Sequence, residues 1–181
     1  MSKSFFRTSV LGMLLAGTAQ LSVRGEMVRD LRTVLASDMR EIRAGKAVHV
    51  DGRLAEDVSP SELLREVEQY LHDGNPRVQI AAFEVLSRLN KAEVPVEMRR
   101  QAVRGILKAA SQGSSGVWFR GASFVRRFRA RDFDADSRQI IQKVLSKHKT
   151  IESSTLTVVA AAHLKEALPT LRRALNEIQR S

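Results

Sequence analysis

The chain has no cysteine, which removes disulfides, thiolate nucleophiles and cysteine metal sites together and leaves the redox compartment open. Aromatic residues are scarce: one Trp, one Tyr and seven Phe in 181 residues. Ala, Leu, Val, Arg and Glu abound instead, a composition that favours helix over sheet. Prolines are few and lie at positions 60, 76, 95 and 169, each near a predicted helix start. The longest apolar stretch falls well short of the ~20 residues needed for a bilayer-spanning helix. Patterns that carry chemistry are missing as well. His49, His72, His148 and His163 are scattered without metal-ligand spacing, and no nucleophile elbow, Walker loop or dinucleotide fingerprint is present. The sequence therefore predicts a non-catalytic protein without a metal or cofactor.

What the chain does have is a 43% hydrophobic content, enough for one sizeable core, and a net charge of +10. Charge of that sign and size suits acidic partners, whether nucleic acid, anionic lipid or an acidic protein face.

The organising stretch is residues 73–89. Gly74 and Asn75 break one helix, and Pro76 stands at a first-turn position where its missing N–H costs nothing. Val78, Ala81, Ala82, Val85, Leu86 and Leu89 then follow at the spacing of one helical face. The segment recurs. Val78, Ile80, Ala82, Leu86 and Leu89 map onto Val117, Phe119, Gly121, Val125 and Phe128, 39 residues on, and again onto Leu156, Val158, Ala160, Leu164 and Ala167. A period of this size with two helices per unit is the signature of a helical solenoid.

In chain order, residues 1–19 have a basic start, a short apolar run and small residues at positions 17 and 19, the order of a secretory signal peptide cleaved after Ala19. The alternative is an amphipathic capping helix with Phe5, Phe6, Val10, Met13 and Leu14 inward. Cleavage removes Lys3 and Arg7 and lowers the net charge from +10 to +8. Export to a periplasmic or secreted location follows if the leader is removed, and cytoplasmic residence if it is not. Residues 20–58 hold an amphipathic helix over 22–43, stopped by Gly45, and a loop with an Asp51-Gly52 turn signal. Residues 59–181 hold the repeats. Ser59, Pro60 and Glu62 have the order of a capping box, and helices are predicted near 60–71, 76–90, 95–112, 117–131, 134–148, 150–164 and 168–179. The last of these carries Leu168, Leu171, Leu175 and Ile178 inward.

Asp-Gly-Asn-Pro-Arg-Val at 73–78, followed by Ala-Ala and Leu at helical spacing, resembles the second helix of a HEAT repeat, and residues 167–171 are similar to the start of a HEAT first helix. The second and third units have Gln112 and Ile151 where the first has Asp73, and lack its Pro-Arg pair, so armadillo-like and other paired-helix arrays remain alternatives. The resemblance implies an all-α, right-handed solenoid of about three and a half helical hairpins behind an N-terminal helix. Some HEAT-like proteins are alkylpurine DNA glycosylases, which hold an extruded base with tryptophans beside a carboxylate. Here the sole tryptophan is Trp118, with Ala122 one turn on, so that likeness extends to the fold alone.

Charge placement gives the functional expectation. Arg120, Arg126, Arg127, Arg129 and Arg131 accompany Trp118, with Arg99, Arg100, Arg104, Lys108, Lys143, Lys147 and Lys149 nearby, and Arg127 falls 39 residues after Arg88. The expected partner-binding set is Trp118, Arg120, Arg126, Arg127, Arg131 and Arg88. It would receive an acidic protein or peptide, or alternatively a nucleic-acid backbone without sequence readout. His163 occupies the slot of Val85 and Phe124 and is expected in or near the core. Residues 113–116 read as an inter-helix turn, and Asp132, Asp134 and Asp136 as helix caps in preference to a calcium loop.

Overall fold

Local signals fix several helix boundaries. The computed structural model describes residues 31–50, 58–147 and 152–178. The leader-like segment 1–19, the first part of the 22–43 helix, the Asp51-Gly52 turn and His148 lie outside the described residues. Among those described there are eight α-helices and no strand. They are α1 (Leu31–Arg43), α2 (Pro60–Leu71), α3 (Pro76–Ser87), α4 (Val96–Gln112), α5 (Ser115–Val125), α6 (Ala135–Lys147), α7 (Ser153–Ala161) and α8 (Leu168–Ile178).

Side-chain caps explain four of the starts. Ser59 Oγ accepts from the Glu62 N–H at 3.2 Å, with Pro60 in the first turn of α2. Asn75 Oδ1 accepts from the Arg77 N–H at 2.9 Å, with Pro76 in the first turn of α3. Ser114 Oγ caps α5 through the Val117 N–H at 3.4 Å, and Asp134 caps α6 through the Ser137 N–H at 2.8 Å. Each bond satisfies an N–H that the helix itself leaves unpaired.

Helix packing forms two rows. α2 pairs with α3, α4 with α5 and α6 with α7; α4 also lies against α2 and α6, while α1, α3, α5 and α7 follow one another on the other side. The shared core runs between the rows through Leu35, Met39, Val67, Phe83, Leu86, Ile106, Leu107 and Ile141, all essentially without exposure. Gly121 lets α5 close on α4, since a Cβ there would stand 2.6 Å from the Ala110 Cβ.

Four sequence expectations need correction. The helix expected over 117–131 ends at Val125. The Arg127 and Phe128 N–H groups bond three residues back, the chain extends at Arg129, and a 3₁₀ turn follows at Ala130–Asp132. Buried Phe128 and Phe133 pull this segment inward. The third copy of the repeat is also out of register. Leu156 is 44% exposed where Val117 is 1% exposed, and the buried face of α7 is instead Ser154, Thr155, Val158 and Val159. α7 begins 38 residues after α5, while α5 begins 39 after α3. Burial in α5 recurs in α7 at 37 residues, Trp118 against Thr155 and Gly121 and Ala122 against Val158 and Val159, a slip of two from the 39-residue repeat that turns the helix face by about 200°. His163 is exposed, beyond the end of α7, and Leu168, expected inward, is 50% exposed.

Candidate functional site

The residues around α5 divide into a buried group and an exposed one. Trp118 belongs to the first: it is 5% exposed, and its Nε1 donates to Thr155 Oγ1 at 3.1 Å, joining α5 to α7. A buried indole needs such a partner, and Trp118 is thereby withdrawn from the partner-binding face predicted for it.

Arg120 is exposed on α5, and Arg126 and Arg127 are exposed at its C-terminal end, where cations interact favourably with the helix dipole. Arg127 is held in place. Its Nη1 donates to Ser87 Oγ at 3.3 Å, and its guanidinium lies 5.1 Å from the centre of the Phe124 ring. Ser87 is buried and itself donates to the Glu84 carbonyl at 2.7 Å. Since Ser87 ends α3 and half-buried Arg88 follows it, the C-terminal ends of α3 and α5 are brought together with their arginines. Arg131 is exposed in the 3₁₀ turn, where its carbonyl accepts from Arg100 Nε at 3.3 Å. Among the described residues no hydrogen bond or ion pair engages the side chains of Arg120, Arg126 or Arg131.

The three arginines of α4 are paired with carboxylates within the fold. Arg99 is buried, and its Nε donates to Asp132 Oδ1 at 2.8 Å. Its Nη1 reaches the Val94 carbonyl. Asp132 Oδ2 meanwhile accepts from the Arg129 N–H at 2.9 Å. Arg104 faces three carboxylates, Asp134 at 3.0 Å, Asp136 at 3.2 Å and Glu97 at 3.6 Å, and Arg100 lies 3.6 Å from Glu97. Burial alone would raise the Asp134 carboxyl, but the Ser137 N–H and the Arg104 guanidinium outweigh it and hold it below the usual carboxylate range. The sequence signal for basic charge thus overstates the free cation near α4. It was silent on the Arg99–Asp132 pair, whose members are 33 residues apart.

One further feature escaped the sequence. Between α2 and α4 lies an open cleft of about 530 Å³, lined by Leu64, Leu71, Met98 and Gly105 with Arg104 and Lys108 at its edge. Leu64 and Met98 look like ordinary inward positions, and only the spacing of two helices leaves them half-buried. His49, His72 and His163 are all exposed. Among the described residues no group of three or more His, Asp or Glu side chains could hold a metal ion, and no helix is long and apolar enough to cross a membrane.

No protein-family model, curated protein or solved structure matches the chain.

Proposed function

We propose that the chain is a non-catalytic scaffold whose helical hairpins stack as a right-handed, HEAT-like solenoid, and that it binds an acidic protein partner through the arginine-bearing face of α5. With residues 1–19 read as a signal peptide, that partner is itself exported. The ordered succession of neighbours along each helix row supports the stacking. The observation that carries the binding reading is the distribution of charge. No Asp or Glu occurs between Glu97 and Asp132, and the arginines left unpaired in that stretch, Arg120, Arg126 and Arg131, are exposed beside the anchored Arg127. Arginine forks suit carboxylates, and a cation already held in place loses little freedom on binding. Trp118, buried against Thr155, takes no part.

The same unbroken cationic run favours nucleic acid as the second reading, because it could neutralise successive phosphates. One experiment weighs both. Fluorescence anisotropy measures binding of labelled poly-L-glutamate and of a random-sequence DNA duplex at two salt concentrations. Charge reversal of Arg120, Arg127 and Arg131 together to Glu should weaken poly-glutamate binding more than tenfold, with helical circular dichroism unchanged. Reversal of Lys143, Lys147 and Lys165, exposed cations elsewhere, should have a much smaller effect. Equal loss in both triple variants would reject the α5 face, and tight, steeply salt-dependent duplex binding lost with the arginines would transfer the site to nucleic acid.

A further inference from the structure

The α5 face is not only cationic. Phe119 is 51% exposed and Leu156, on the adjacent α7, is 44% exposed, among the few large hydrophobic side chains left this open. They directly follow Trp118 and Thr155 in sequence, and that pair is hydrogen-bonded across the two helices. The bond therefore fixes where the two apolar residues emerge relative to each other. Arg120 adjoins Phe119 on α5, and Arg127 stands just past the end of that helix, where its guanidinium lies against the Phe124 ring and Ser87 of α3. α7 itself carries no charged residue from Ser153 to Ala161, and the Glu152 that precedes it accepts from Ser154 Oγ at 3.2 Å.

Resting on the acidic-partner reading, we infer that the segment this face receives is an acidic amphipathic helix, which lays an apolar stripe over Phe119 and Leu156 while its flanking carboxylates meet Arg120 and Arg127. A partner of acidic residues alone would leave Phe119 and Leu156 as exposed as they are now. An apolar stripe would remove them from water, and a helix can carry such a stripe with carboxylates along its flanks. Both apolar residues lie on packed helices rather than on a projecting loop, a placement that suits a rod laid across them better than insertion into a bilayer.

The test uses the full chain and two labelled synthetic peptides of equal length and equal negative charge: one with leucines at helical i, i+4 spacing among glutamates, one with serines in their place. Wild-type protein should bind the leucine peptide about tenfold more tightly, the size expected from burying two partly exposed apolar side chains. Phe119→Ser with Leu156→Ser should abolish that preference while leaving the serine peptide's affinity unchanged. Arg120→Gln with Arg127→Gln should weaken both peptides. Equal wild-type affinity for the two peptides overturns the amphipathic inference but keeps the acidic-partner reading, whereas failure to bind either overturns both. Stronger binding to phosphatidylserine vesicles than to the leucine peptide, lost in the Phe119/Leu156 variant, would give the face to a membrane and refute the helix.

Discussion

His163 has a left-handed backbone, with φ of 49°. It follows Ala162 at the end of α7, where its N–H donates to the Ala160 carbonyl and the Leu164 N–H to the Val159 carbonyl, both at 3.1 Å. The end of α1 has the same pair of bonds, from Gly45 to Ile42 and from Lys46 to Glu41, with φ of 88° at Gly45. Both are Schellman-type stops that satisfy two of the helix's last carbonyls. Glycine adopts this conformation freely, while a side chain costs about 1–2 kcal/mol, partly offset by glycine's greater freedom in the unfolded chain. His163→Gly should therefore stabilise the protein by about 0.5–1 kcal/mol in urea unfolding. A loss of stability would mean that the imidazole contributes more to packing than its exposure suggests. Sequence periodicity placed His163 on a continuing helix face because Leu164 and Ala167 resume the apolar pattern beyond it, and both are indeed buried. The turn between is what periodicity could not register.

At the scale of elements, boundaries with a local polar cap were legible: Ser59, Asn75 and Asp134 each hold an N–H two or three residues on. The end of α5 was not, because what ends it is distant. Asp132 is buried at the 3₁₀ turn, bonded to Arg99 on α4 and to the Arg129 N–H, and this fastens the 126–133 segment across the start of α4. The candidate site was legible to the same degree. Arg120, Arg126, Arg127 and Arg131 are exposed as their spacing suggested, whereas Trp118 and Arg99 are buried by partners 37 and 33 residues away. Removing one member of a buried ion pair strands the other charge, at a typical cost of ~3–5 kcal/mol. Asp132→Ala should destabilise by about that amount in urea unfolding, with further loosening of Arg129 and Arg131. Arg99→Met combined with Asp132→Leu should recover much of the loss, because no buried charge is then left alone. A double variant no more stable than Asp132→Ala would show that the Arg129 and Val94 hydrogen bonds matter more than the pair.

Across the whole molecule, support for each helix comes from its neighbours in the two rows, and it is uneven. α4 has 17 residues and contacts α2, α3, α5 and α6, whereas α7 has nine residues, an N-cap at Glu152 without a side-chain hydrogen bond, and an end held by a strained His163. α8 rests mainly on the turn at Lys165–Ala167 that precedes it. Helices this short are not stable alone in water, so their persistence depends on packing, of which α7 and α8 have less than α4. In a stack with nearest-neighbour coupling, such an end opens without unfolding the centre. Native-state hydrogen exchange should therefore find the amides of α7 and α8 exchanging at least ~10-fold faster than those of α4, through an opening that spares α2–α4. Thr155→Val, which removes the acceptor for Trp118 Nε1 while keeping shape, should widen the gap, since that bond is the polar tie between α5 and α7. Uniform protection from α2 to α8 would instead mean one cooperative core, and a closed bundle would then describe the molecule better than a stack. It would also change the view of the α5 face: Leu156 would be fixed beside Phe119 at all times, whereas in a stack that opens from its C-terminal end the apolar half of the surface forms and dissolves with α7, while the arginines on α5 remain in place.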